Sequence, residues 1–419
     1  MEKALLVTVK LKTEKDEWPI EESALELEEL AAACGVEAVD NIRSICEKPT
    51  SNFLIGSGKA KELALTAQEL DVDVLIFSQD LSGTQQRNLE EITGKKIIDR
   101  TQLILDIFAR HAKTPEGKMQ VELAQLQYLI PRLSGKGVML SRLGGGVGTR
   151  GPGEQKLEMD RRKIRGKIDT LKADLKILTE RRIVMRKRRI DNLIPLVALV
   201  GYTSAGKSTL LNALTGADQN VSSGLFTTLD PLAKSLQLDN GERIVLSDTV
   251  GFLHNLPHHL IEAFQATLEE VVQADLLIHV LDVANANVYE QNKAVFEVLK
   301  KLGVEGKPVI TALNKIDLMN DKLWLEKMQR DFNNAIVISA KFKQNLDDLL
   351  EKIQVVFSER MALVKIIIPH QRMDLLDFIY RQGKVKEVKY LQNSVEIVAS
   401  ISKVDSKKLM HNKDIEVIC

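Results

Sequence analysis

The run Gly201-Tyr202-Thr203-Ser204-Ala205-Gly206-Lys207-Ser208 constrains the fold of this 419-residue chain more than any other segment. It lies between an apolar run, Leu196 to Val200, that reads as a strand and a helix beginning near Thr209. A G-x-x-x-x-G-K-S loop in that setting demands a strand–turn–helix unit whose successive backbone N–H groups converge on phosphate at the helix N-terminus. Gly201 and Gly206 let the main chain close around a triphosphate. Lys207 is placed to reach its β- and γ-phosphates, and the Ser208 hydroxyl to hold Mg²⁺.

Three motifs downstream narrow the nucleotide. Asp248-Thr249-Val250-Gly251 follows the apolar strand Ile244 to Leu246. An Asp in that place steadies Mg²⁺, and Gly251 brings a bare N–H to the γ-phosphate. Asn314-Lys315-Ile316-Asp317 ends the strand Val309 to Leu313. A carboxylate accepts hydrogen bonds only, so Asp317 suits the N1–H and N2–H₂ edge of guanine, whereas adenine would leave it unpaired at a cost of about 1–3 kcal/mol. Ser339-Ala340-Lys341 follows the strand Ala335 to Ile338, where the Ala340 N–H is expected to meet guanine O6. In this order, each after its own strand, the motifs specify guanine.

Between the phosphate loop and Asp248 lies Phe226-Thr227-Thr228-Leu229-Asp230-Pro231, the place for a first switch. One threonine must complete the Mg²⁺ shell and release it once the γ-phosphate leaves, and the residues alone divide that role between Thr227 and Thr228. After Gly251 comes Phe252, where many Ras-like GTPases carry the glutamine that orients the attacking water. A phenyl ring cannot hydrogen-bond that water. Intrinsic hydrolysis is therefore expected to be slow and completed by a partner surface, an ion or a rearranged switch, with Phe252 also able to pack under the second switch.

The rest of the chain sets outer bounds. Basic and acidic residues balance at 58 each, so any polyanion-binding surface must be local. No apolar run approaches the roughly 20 residues of a membrane span, and the N-terminus reads as a strand, not a signal peptide. Cys34, Cys46 and Cys419 show neither disulfide nor zinc spacing, which fits a reducing cytoplasm with at most loose membrane association.

Four segments follow. Residues 1–112 alternate strands (Val72 to Phe77, Ile97 to Ile98) with helices (Lys59 to Leu70, Thr84 to Ile92, Thr101 to His111), a small α/β unit with a mainly parallel sheet. Gly56-Ser57-Gly58-Lys59 imitates a second phosphate loop, but Phe53 and Ala60 occupy its first-glycine and hydroxyl positions, so a glycine turn opening a helix is expected. In residues 113–192, Met119, Leu123, Leu126, Ile130 and Leu133 mark one heptad seam, and Ile164, Ile168, Leu171, Leu175 and Leu178 another. Two seams joined by the glycine-rich connector Ser134 to Gly153 argue for an antiparallel helical hairpin. From Lys156 to Ile190 there are 14 Lys or Arg and 5 Asp or Glu, a net +9 in a chain whose remainder is net acidic. Such an excess favours a polyanion, and the scarcity of aromatics favours the backbone and shape of folded RNA over stacking on single strands. Residues 193–358 form the doubly wound nucleotide domain. Residues 359–419 read as a small α+β appendage: strand Leu363 to Ile368, helix Asp374 to Gln382, strands Val385 to Leu391 and Ser394 to Ser400.

Arg150-Gly151-Pro152-Gly153-Glu154-Gln155-Lys156-Leu157-Glu158 with Asp160-Arg161-Arg162 resembles the signature at the base of the hairpin in HflX-type GTPases. The phosphate loop is similar to that family's too, except that Ser204 stands where asparagine is common. So are Leu81-Ser82-Gly83-Thr84-Gln85-Gln86-Arg87-Asn88-Leu89 and Ile98-Asp99-Arg100-Thr101. The resemblance implies a monomeric translational GTPase using GTP/GDP and Mg²⁺. It would bind the large (50S) ribosomal subunit and its rRNA, and split stalled 70S ribosomes. It assigns Mg²⁺ to Ser208 and Thr228, since relatives often carry alanine where Thr227 stands, and catalysis to Lys207, Thr228 and Gly251. An added ATP site proposed for relatives gains little from Gly56 to Lys59. A ribosome-assembly GTPase and a passive hibernation factor are the competing readings.

Overall fold

The computed structural model describes residues 2–13, 18–133, 152–191, 194–217, 226, 232–254, 265–358, 361–410 and 416–418. The described residues form three sheets, in two compact units.

The first sheet has the order β2-β1-β3-β4, built from β1 (Lys3–Leu11), β2 (Glu37–Cys46), β3 (Val74–Phe77) and β4 (Lys96–Ile98). Every pairing in it is parallel. Parallel neighbours need crossovers, and α1 (Ile20–Ala33), α2 (Ser57–Glu69) and α3 (Gly83–Thr93) supply them, followed by α4 (Arg100–His111). Gly56 is the N-cap of α2, and Lys59 pairs with Glu62 at 2.7 Å, so this glycine turn opens a helix. Ser82 caps α3 through a capping box with Gln85, and Asp99 caps α4 by accepting from Gln102 N.

The first hairpin helix, α5 (Pro115–Arg132), begins at a Thr114 cap with Pro115 in its first turn. Its end is fastened to the first sheet. The Arg132 guanidinium meets Asp99 at 2.8 Å, donates to Leu81 O at 2.6 Å and lies 3.4 Å over the Tyr128 ring. Asp99 is fully buried, and burial raises its carboxyl pKa against backbone N–H groups and Arg132. The second helix, α6 (Pro152–Asp191), packs Ile164, Ile168, Leu171 and Leu175 against Met119, Leu123, Leu126 and Ile130, with Lys167 paired to Glu122. Leu133 and Leu178 lie outside that cluster, so the packed seam is shorter than the heptad pattern predicts. The helix also starts at Pro152, which trims the connector; residues 134–151 lie outside the described residues.

The second sheet runs β10-β9-β8-β5-β7-β6. Its strands are β5 (Leu196–Gly201), β6 (Leu232–Gln237), β7 (Arg243–Asp248), β8 (Leu276–Asp282), β9 (Val309–Asn314) and β10 (Ala335–Val337). Only β6, at the edge, is antiparallel among the described pairings. Helices α7 (Lys207–Thr215), α8 (Gln265–Gln273), α9 (Val288–Lys301), α10 (Lys322–Asp331) and α11 (Leu346–Ser358) join them. The strand order reverses at β5, which puts the crevice at its carboxyl end.

The third sheet, β12-β13-β11-β14, is antiparallel: β11 (Met361–Pro369), β12 (Lys384–Tyr390), β13 (Ser394–Ser402) and β14 (Glu416–Ile418). Leu376 and Ile379 of α12 (Met373–Gln382) and Leu409 of α13 (Lys403–Met410) cover its apolar side. Neither α13 nor β14 was expected from the residues.

Candidate GTP-binding site

The strand β5 is buried throughout and ends in the phosphate loop. Gly206 stands at φ +99°, and a Cβ there would lie 2.3 Å from Asn314 Nδ2, so only glycine fits. Ser204 stands at φ +59°, a left-handed conformation that asparagine adopts more readily than serine. Lys207 is buried and donates to Gly201 O at 3.1 Å and Tyr202 O at 2.8 Å. Burial pushes its pKa down to about 8, against the attraction of Asp248.

Ser208 Oγ donates to Asp248 Oδ2 at 2.6 Å, so the two oxygens expected around Mg²⁺ stand together at the ends of β5 and β7. A hydroxyl beside a fully buried carboxylate is the hard oxygen set that magnesium prefers, so the residues fit the ion. Thr249 Oγ1 anchors the next turn on Leu199 O at 2.6 Å. Val250 is buried, and Gly251 approaches so closely that a Cβ would meet Thr203 Cα at 2.8 Å and Lys207 Nζ at 3.1 Å. The Thr203 hydroxyl is buried without a hydrogen-bond partner in the structure. Phe252 is 1% exposed and bridges to Tyr202 through Phe252 N–Gly201 O (3.1 Å) and Thr203 N–Phe252 O (2.9 Å). Its ring is core.

The segments expected to read guanine converge on the same crevice. Asn314 Nδ2 donates to Ala205 O at 2.9 Å, tying the phosphate loop to the end of β9. Lys315 adopts φ +67° and pairs with Asp282 at 2.6 Å. Ile316 and Asp317 lie in a short 3₁₀ turn, and Ser339 Oγ donates to Asp317 Oδ1 at 2.6 Å, orienting the carboxylate. The Ala340 N–H donates to Asn314 Oδ1 at 2.9 Å, so the two loops pack against each other here. Lys341 follows, its ammonium 5.3 Å from the Phe342 ring. Of the first switch, Phe226 is described; it is buried, at φ +57°, with its ring 4.5 Å from that of Phe108. Thr227, Thr228, Leu229 and Asp230 lie outside the described residues.

Two residues here went unread in the sequence. Asp282 ends an apolar strand as Asp248 does, a signal that could have found it. His279, three residues earlier on β8, is fully buried with its ring edge-on to Phe296 at 5.3 Å. Neither ring nitrogen has a hydrogen-bond partner in the structure, and burial, reinforced by the charge of Lys207, pushes its pKa down to about 3. Among the described residues no cluster of three or more His, Cys, Asp or Glu could hold a metal.

Comparison with known proteins agrees in order along the chain. Residues 21–109 match the family described as GTP-binding GTPase N-terminal, 111–189 its middle region, 196–315 a 50S ribosome-binding GTPase and 325–413 the HflX C-terminal domain. The GTPase HflX of Caldanaerobacter subterraneus subsp. tengcongensis is 46% identical over 96% of this chain and 91% of its own. That of Escherichia coli K12 is 38% identical over 97% and 95%. A GTP-binding protein from Sulfolobus solfataricus, solved with GDP, superposes with a TM-score of 0.44 at 26% identity, over 86% of this chain and 99% of its own. With relatives this similar over nearly its whole length, the chain belongs to the HflX family of P-loop GTPases.

Proposed function

We propose that this GTPase binds the large (50S) ribosomal subunit through its hairpin and splits or rescues stalled 70S ribosomes, with GTP gating binding and hydrolysis driving release. The observation that carries this reading is α6. It is a helix of 40 residues, about 60 Å long at 1.5 Å per residue. Arg162, Lys163, Arg165, Lys167, Lys172 and Lys176 are exposed along it, in a segment of net +9. A rod of that charge is suited to rRNA backbone. The matched description of a 50S ribosome-binding GTPase over residues 196–315 supports the same partner.

In the nucleotide site, the loop from Gly201 through Tyr202, Thr203, Ser204, Ala205 and Gly206 cradles the phosphates by its backbone. Lys207 neutralises the β,γ-oxygens, Gly251 senses the γ-phosphate, and Asp317 with Asn314 and the Ser339–Lys341 turn reads guanine. Ser208 and Thr228 would hold Mg²⁺, with Asp248 beside Ser208; the ion, when bound, supplies charge neutralisation of the phosphate oxygens. With Phe252 buried, hydrolysis by the protein alone is slow and rises on ribosomal particles. We read the chain as a monomer acting in the cytoplasm, with a nucleotide domain over 193–358, a hairpin over 113–192 and flanking segments 1–112 and 359–419. Among the described residues no helix is long and apolar enough to cross a membrane.

The test is GTP turnover by the protein alone, with large subunits, with small subunits and with 70S ribosomes, alongside sedimentation. Stimulation by large subunits or 70S, with subunits separating under a non-hydrolysable GTP analogue, is expected. Stimulation without separation would move the function to assembly or hibernation, and no stimulation by any particle would refute the ribosomal partner.

A further inference from the structure

The turn joining β6 to β7 is where the C-terminal sheet meets the nucleotide-binding sheet. Gly241 in that turn stands at φ +87°, and a Cβ there would lie 2.6 Å from both N and Cβ of Lys384 and 2.9 Å from Gly383 C. Gly383 is seated as tightly on its own sheet, where a Cβ would lie 2.5 Å from Ile401 Cγ2 and 2.6 Å from Ser400 O. Lys384 Nζ donates to Asp239 O across the junction. The turn is braced internally by Leu238 N–Glu242 O (2.8 Å), Gly241 N–Leu238 O (2.9 Å) and Glu242 N–Asn240 Oδ1 (2.9 Å). At Gly241 main chain therefore rests against main chain and the base of the Lys384 side chain, whose ammonium closes the same junction.

The other end of the same hairpin is the nucleotide site. β6 and β7 pair from Gln237↔Arg243 at the turn to Leu232↔Asp248, about 16–20 Å away at 3.3 Å per residue. Asp248 accepts from Ser208, and Leu232 immediately follows the first switch in the chain. β6 is an edge strand whose side chains are mostly exposed, with Leu232 and Leu236 packed on the core of the domain, so backbone pairing to β7 and the turn are its main-chain supports.

We propose that Gly241, Gly383 and Lys384 are positioning residues for GTP hydrolysis: the C-terminal sheet holds the far end of the β6–β7 hairpin and so sets where Asp248 stands at its near end. Such coupling is reciprocal, so the nucleotide must in turn be felt at the start of β12. The proposal rests on the GTPase reading of the site and is independent of the ribosomal partner. Amide hydrogen exchange of the full chain with GDP and with a non-hydrolysable GTP analogue tests it without any substitution. Rates at residues 238–243 and 384–388 should differ between the two nucleotides; identical rates at 384–388 would overturn the coupling. Lys384→Ala should change kcat for intrinsic turnover about fivefold or more, with KM and melting temperature kept, and Lys384→Arg should restore it. A kcat within about twofold of wild type in both Lys384→Ala and Gly241→Ala would also overturn it, as would an equal shift from Asn240→Ala, which loosens the turn but leaves the junction. Failure of the wild-type protein to bind guanine nucleotide, measured in the same samples, would remove the site reading itself and the proposal with it.

Discussion

His279 should make the nucleotide-binding domain lose stability on mild acidification. In the folded protein its pKa is pushed down to about 3, whereas an exposed histidine titrates near 6.5. Between those values the unfolded chain binds a proton that the native one refuses, so stability is full above pH 6.5 and falls as pH drops toward the folded value. At pH 5.0 the deficit is 1.5 pH units at about 1.4 kcal/mol each, about 2 kcal/mol relative to pH 7.5. The perturbation is His279→Leu, which keeps bulk and removes both unpaired nitrogens. The assay is urea unfolding followed by Trp324 fluorescence in a Trp18→Phe background, so that the signal comes from the second compact unit. Wild type should lose about 2 kcal/mol more than the variant between the two pH values, the other histidines cancelling in the comparison. Parallel losses would refute the claim that the fold holds this ring neutral.

Lys207, with its pKa lowered to about 8, must be charged to meet a triphosphate, so GTP affinity should weaken roughly tenfold from pH 7 to 9. Calorimetry at pH 8.5 in buffers of different ionisation heat should show most of a proton taken up on binding, and no uptake would contradict the shift. Asp317→Asn should move preference from GTP to xanthosine triphosphate, read by competition; unchanged guanine preference would assign base recognition elsewhere. Arg132→Met leaves Asp99 buried without its cation and should cost about 3–5 kcal/mol of stability in the first unit. Asp99→Asn combined with Arg132→Met should recover part of that loss, and a loss under about 1 kcal/mol for the single change would deny the pair its role.

The nucleotide domain was legible because its central strands are buried on both faces. Runs such as Leu196 to Val200 and Val309 to Leu313 then carry continuous apolar character, and each ends at a polar motif. The strand β2 was invisible for the opposite reason. Glu37–Cys46 lies at the sheet edge with most side chains exposed, so Asp40, Asn41, Arg43 and Ser44 break any apolar pattern. The short α13 and β14 gave too few periodic positions to register. Within the site, the motifs located Ser208, Asp248 and Asp317, but not what those residues hold. The Lys315–Asp282 pair joins positions 33 apart, and the Ala340–Asn314 bond joins positions 26 apart. Only packing creates such neighbours.

Asn314 bonds the phosphate loop with one side-chain atom and the Ser339–Lys341 turn with another, in space that the missing side chain of Gly206 leaves open. The segments proposed to receive base and phosphates are therefore joined and are not two separate pockets. Ordering one loop orders the other, so a guanine base and a pyrophosphate group supplied as separate molecules would help each other bind, each arriving at a surface already stiffened by the other. Discrimination between nucleobases would in this way be felt at the phosphates, where the reaction takes place.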